Sequence, residues 1–295
     1  MGRAGRYVRT AVALFSVLLV IACGNPSSDA YCEANARDNQ ESLQFLNIVL
    51  ERKRNNTGAY LARARCHYFL GSYAQAAQDA SEVIRREPMQ AEAYLFRAKA
   101  GYMMGQVHQA MNDYTAAISL RPTADAYYGR GLVYVREFQA KDREALEDFT
   151  AAIRLDAQHV GAYKFRAEIY SRHDQFQNAL KDSEMVLKLD PAMSNAHCNV
   201  GFAHYALGHD AEGRKFLNTC YQKDPDPHTR GYYETEVRKV LFARQPGRNS
   251  SGGFQSEGEK TPLERGREQQ HAYESRANSG FNGRTEACRN GVSKC

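Results

Sequence analysis

Beyond residue 23 the 295-residue sequence has no apolar run long enough to cross a membrane, which takes about 20 residues. Its seven cysteines include no CxxC pair and no other paired ligand spacing, which argues against a zinc site. There is no nucleophile elbow, no phosphate loop and no HExxH, so the local signatures of common hydrolases, nucleotide-binding enzymes and metalloproteases are missing. No carboxylate pair stands out from the helical charge background, and no stacked aromatic motif of the RNA-binding kind occurs. The net charge of +5 adds nothing for nucleic acid, because Arg3, Arg6 and Arg9 supply three of those charges at the amino terminus and the remainder is close to neutral. These absences leave no catalytic residue, metal or cofactor to nominate and no nucleic-acid partner to expect.

What is present starts with those three arginines, followed by the apolar run 11–22. That is the layout of a secretory signal peptide. The run ends Val20-Ile21-Ala22-Cys23-Gly24, which resembles the bacterial lipobox. The resemblance implies cleavage before Cys23 and acyl chains on Cys23. Gly24 in place of Asp implies the outer membrane on the same ground. Two or more chains hold a protein stably at about 0.8 kcal/mol per buried methylene, so the chain would be anchored to a membrane without spanning it. An ordinary signal peptide cleaved nearby is the alternative.

A motif then recurs about every 34 residues: Ala59-Tyr60, Arg63-Ala64, Leu70-Gly71, Ala76, Asp79, Val83 and Pro88, and again Ala93-Tyr94, Arg97-Ala98, Met104-Gly105, Ala110, Asp113, Ala117 and Pro122. A period of this length means stacked copies of one supersecondary unit. The motif resembles the tetratricopeptide repeat over about residues 57–225. The resemblance implies an all-α, right-handed solenoid of antiparallel helix pairs, A and B, with about five units and flanking helices. Proline or alanine closes each helix B at Pro88, Pro122, Ala157, Pro191 and Pro225, since proline lacks the amide donor a helix needs. Small residues recur where A and B approach, as at Ala64/Ala76, Ala98/Ala110, Gly131/Ala145, Ala167/Ala179 and Gly201/Gly213. The third unit carries two extra residues in its A-to-B turn, a tolerated insertion or a contact loop.

Residues 42–54 carry an amphipathic spacing in register with a helix B, and 232–243 read as a capping helix over the last apolar face. The expected divisions are a signal peptide 1–22, a tether 23–41, the array 42–243 and a tail 244–295. The tail is dense in Gly, Ser, Asn and charged residues and too poor in aliphatics to offset the entropy of ordering.

Four units share an Arg in helix A and an Asp in helix B: Arg63/Asp79, Arg97/Asp113, Arg130/Asp148 and Arg166/Asp182. In the fifth both change together, to Val200 and Phe216. The joint change predicts contact, with an ion pair across each helix pair replaced once by an apolar one. His197 and His204, with His209 beyond, invite a metal reading, but the first two stand where other units have aromatics, which favours packing. Among the cysteines, Cys288 and Cys295 are close enough to bridge, Cys198 and Cys220 fall on the two helices of one unit, and Cys66 and Cys220 also suit buried thiols. In an oxidising compartment bridges are favoured.

The resemblance also assigns the inner groove to helix A residues. Carried over, these include Arg65, Tyr68, Lys99, Tyr102, Tyr128, Arg136, Lys164, Arg172, Phe202 and Tyr205. The set is basic and aromatic, with Glu168 its one acid, and suits an extended or helical peptide of acidic character. The family's Asn/Lys clamp for a terminal carboxylate is not matched. The expected function is a lipid-anchored scaffold of the bacterial cell envelope that binds partner peptides. The alternatives are a chaperone-like holder of secreted or outer-membrane chains and a regulatory or metal-dependent subunit in cell-wall metabolism.

Overall fold

In the computed structural model twelve helices follow one another through the described residues, which are 36–137, 141–224 and 226–244. Cys23, the signal peptide, most of the tether, residues 138–140 of the lengthened turn, Pro225 and the tail from 245 lie outside them, as do Cys32, Cys288 and Cys295. The helices are α1 (Ala36–Arg52), α2 (Thr57–Phe69), α3 (Tyr73–Arg86), α4 (Ala91–Met103), α5 (Val107–Leu120), α6 (Ala124–Glu137), α7 (Asp142–Leu155), α8 (Val160–Arg172), α9 (Phe176–Leu189), α10 (Ser194–Ala206), α11 (Asp210–Lys223) and α12 (Pro227–Ala243). The described residues divide into two compact units, 36–200 and 201–244, with the boundary inside α10.

From α1 to α9 each helix packs on the next, and α2, α4, α6 and α8 also touch in succession. These four are the A helices, and their row forms the inner face. Ala64, Ala76, Ala98, Ala110, Ala145, Ala167 and Ala179 are all buried, so paired helices approach without long side chains between them. At Gly131 a Cβ would stand 2.7 Å from the Phe149 ring. Only glycine lets α6 lie that close to α7. The A-to-B turns reuse one device. Gly71 and Gly105 sit at φ +74° and +75°, and Asp174 takes the same left-handed turn at φ 57°. The following amide reaches back to the last turn of helix A in each case, as Ser72 to His67, Gln106 to Gly101 and Gln175 to Tyr170, all at 2.8 Å. These bonds satisfy carbonyls that a helix end leaves open.

Helix α1 starts at Ala36, ahead of the expected 42, and stacks on α2 in the register of a helix B. Leu46 and Leu50 bury against Ala59 and Cys66, and Asn47 accepts from Arg63 Nη1 at 2.8 Å.

The second unit contains the end of α10, α11 and α12. Gly213 leaves room for the Tyr205 ring, which an added Cβ would meet at 2.5 Å. Helix α12 begins at Pro227, ahead of the expected 232, with Asp226 capping the Thr229 amide at 3.2 Å. Proline at the first position gives up an amide that has no helical partner anyway. Arg244 closes the unit onto Asp210 at 2.8 Å.

Candidate functional site: the inner face of the A helices

Each of the four Arg/Asp pairs is bidentate. Nε and Nη2 of Arg63, Arg97, Arg130 and Arg166 donate to Asp79, Asp113, Asp148 and Asp182 at 2.7–2.8 Å. The aspartates are buried. The remaining nitrogen turns to the preceding helix B, where it meets Asn47, Ser81, Thr115 and Thr150 in turn at 2.8–3.5 Å. The guanidinium also lies 5.4–5.8 Å from the ring of Tyr60, Tyr94, Tyr127 or Tyr163. Every arginine thus joins its own helix pair to the one before. Its donors are used inside the scaffold, so these positions hold the stack and do not present charge to a ligand. The Asn, Ser and Thr partners escaped the sequence reading, although each stands two residues after the repeat's Asp position.

The inner face carries a second series of contacts, between successive A helices. Arg65 of α2 is buried and paired with Glu92 in the first turn of α4, its guanidinium 5.5 Å from the Phe96 ring. Lys99 of α4 pairs with Asp125 in the first turn of α6 and lies over the rings of Phe96 at 5.4 Å and Tyr68 at 6.0 Å. Arg172 holds Asp142 at 3.0 Å. The expectation of an open basic surface is corrected here. Three of its five cations, Arg65, Lys99 and Arg172, already carry an acid of this chain, and Arg65 faces the packed interior. The acids Glu92, Asp125 and Asp142 come from neighbouring repeats, which a reading unit by unit does not pair.

At the centre of the row the side chains of Tyr68, Lys99, Tyr102, Asp125, Tyr128 and His159 converge from α2, α4, α6 and the cap of α8. His159 caps α8 by accepting the Ala162 amide at 3.1 Å. Its Nε2 stands 3.7 Å from Asp125, and its ring centre lies 4.6 Å from that of Tyr128. Gly161 makes room for Tyr128, since a Cβ there would come within 2.9 Å of the phenol. Gly129 does the same for Tyr114 at 2.3 Å. His159 foremost, and Lys99 with it, hold the Asp125 carboxyl well below its usual range. Burial raises the Tyr68 phenol and pushes Tyr128 up to about 12. The phenols are therefore protonated hydrogen-bonding groups, the opposite of activated nucleophiles. The Asp125 side chain is 53% exposed against 20% for Lys99, so the pair turns its carboxylate outward.

Toward α8, Arg136 and Lys164 lie over one ring, Phe165, at 5.9 and 5.2 Å. Glu168, one turn on, is exposed.

A family model for the tetratricopeptide repeat matches residues 61–106 and 102–159. Residues 61–159 are therefore tetratricopeptide repeats. Among curated relatives, the small glutamine-rich tetratricopeptide repeat-containing protein 2 of Saccharomyces cerevisiae is 29% identical over 104 residues, covering 34% of this chain and 30% of that protein. Heat shock protein STI1 of the same yeast is 30% identical over 126 residues, covering 42% and 21%. The chain thus spans less than a third of the length of these relatives. Among solved structures, YrrB, described as a tetratricopeptide repeat protein with an unusual peptide-binding site, superposes with a TM-score of 0.54 at 16% identity, over 64% of this chain and 97% of its own. That likeness concerns the fold.

The other expected groove residues fall in the second unit of this repeat protein. Tyr205 is buried against Gly213 and serves packing there, a correction to its placement in the groove. Phe202 is half-buried. Val200 is buried, and Phe216 stacks on His204 at 5.6 Å and 18°. Cys198 and Cys220 are both disulfide-bonded, so Cys220 is not a buried thiol, whereas Cys66 is.

Proposed function

We propose that this protein is a lipid-anchored scaffold of the bacterial cell envelope that binds partner peptides along the inner face of its tetratricopeptide repeats. The observation that carries the reading is the convergence of Tyr68, Tyr102, Tyr128, Lys99, Asp125 and His159 from successive A helices. Protonated phenols and one outward carboxylate suit the amides of an extended chain, and the surrounding rings supply apolar contact. An acidic residue of the peptide meets Lys164 over the Phe165 ring. The peptide-binding site described for YrrB is consistent with this use of the fold. The oxidised Cys198 and Cys220 fit an extracytoplasmic compartment. Cys23 supplies the anchor, with the outer membrane as its address.

Co-purification from envelopes tests the binding reading. Tyr102→Ala and Lys164→Glu should each deplete a stoichiometric partner relative to the native chain; undiminished recovery with both variants overturns it. Cys23→Ala should move the protein to the soluble fraction, and retention on membranes overturns the anchor. A chaperone-like holder is the second reading, favoured by the likeness to a heat shock protein. It requires sequence-indifferent binding of unfolded chains in place of one partner.

A further inference from the structure

The turn between α10 and α11 brings two imidazoles together. The His209 amide donates to the His204 carbonyl at 2.9 Å, across Gly208 at φ +87°. This fixes both Cα positions by the 6→1 bond of a helix C-cap. His204 lies flat against Phe216, 5.6 Å between centres and 18° between planes, which sets the plane of its ring. With the backbone and that ring held, His204 Nδ1 and His209 Nδ1 stand 3.4 Å apart. The ring centres are 5.6 Å apart and tilted by 53°.

One ring nitrogen can donate and the other accept across this contact, but it is longer than the about 2.7–3.2 Å at which N–H donors usually bond. Two nitrogens bound at about 2.0–2.1 Å to one tetrahedral ion stand about 3.4 Å apart. Reading His204 as a packing residue accounts for its face against Phe216. It does not account for its Nδ1 being directed at a second imidazole.

We infer that His204 and His209 form a two-imidazole site for a divalent ion of the zinc class. Both bind through Nδ1, and each leaves Nε2 for an outer contact. Among the described residues no cluster of three or more His, Cys, Asp or Glu is arranged to hold a metal. Asp210, next in sequence, is engaged by Arg244 at 2.8 Å. Water therefore completes the coordination, and the site is open and exchangeable in the manner of sites with few protein ligands. Neutral imidazole is the binding form, so protons compete with the ion.

Zinc titration of the purified full chain by calorimetry tests this, with imidazole 15N NMR to report which ring nitrogen binds. The expected result is saturation at micromolar zinc, with the Nδ1 signals of His204 and His209 shifting together. His204→Ala and His209→Ala should each weaken binding at least tenfold, while His108→Ala leaves it unchanged. His209 is exposed, so its variant keeps the fold even if His204→Ala does not. Zinc binding unaltered in the His209 variant, or no binding at millimolar zinc, overturns the site.

Discussion

Arg97 shows how much one repeated side chain carries. It holds Asp113 through two bonds, reaches Ser81 on the preceding helix, and covers Tyr94. Donating these hydrogen bonds to Asp113 raises the Arg97 guanidinium above its ordinary value, against the opposing effect of burial. Asp113 is 4% exposed, so removing the arginine alone strands a buried carboxylate. Arg97→Val should lower unfolding free energy by about 3–5 kcal/mol. Pairing it with Asp113→Phe, the combination found in the fifth unit, should cost less than the sum of the single changes. Denaturant unfolding of the four species measures this. Additivity within about 0.5 kcal/mol would show that the two residues do not act together. The pair was legible in the sequence because both members change in the same unit. Its third partner was not, because Asn, Ser and Thr differ in name while sharing a position. Asp125 gives a separate test at this scale. Its folded-state value lies below the ordinary one, so its contribution is complete above about pH 4 and is lost as pH falls through the folded value. Asp125→Asn should therefore lower the thermal midpoint at neutral pH, with the gap to the native chain closing toward pH 2. A gap that widens as pH falls below about 4 contradicts the assignment.

Among the elements, α1 decides where the array begins. Its amino-terminal turns read Ala36-Arg37-Asp38-Asn39-Gln40-Glu41, a run without apolar period, and so the sequence signal starts only at residue 42. The same lack of period hid the start of α12, where the proline and Asp226 cap set the boundary instead. Leu46, 2% exposed, packs over Ala59 and Cys66, the surface that a preceding helix B would cover. Leu46→Ala should cost about 2–5 kcal/mol in denaturant unfolding. A loss under about 0.5 kcal/mol would mean that α1 is not part of the packed array. The lengthened turn of the third unit ends on Asp142, which both Arg172 and His173 hold from the end of α8, at 3.0 and 2.9 Å. The helix that follows the insertion is thereby tied to the next repeat, a contact visible only once the helices are stacked.

Over the whole molecule, the periodic pattern determined the helix pairs, since small residues and turn glycines act locally and repeat. The inner face was harder to read. Its groove positions could be assigned by register, but their charge could not, because Glu92 and Asp125 lie 27 and 26 residues from the cations they neutralise and belong to the next unit. The face offers a partner a row of rings and phenols, with an outward carboxylate at its centre and Lys164 over Phe165. The most direct test of that surface is photocrosslinking from a benzophenone side chain placed at Tyr102 on the inner face, compared with one at Ser119, exposed on α5, in cells that make the protein. The account predicts one discrete adduct from position 102, lost when Lys164→Glu is added, and none from position 119. Equal adducts from both positions, or an adduct at 102 indifferent to Lys164→Glu, would contradict it.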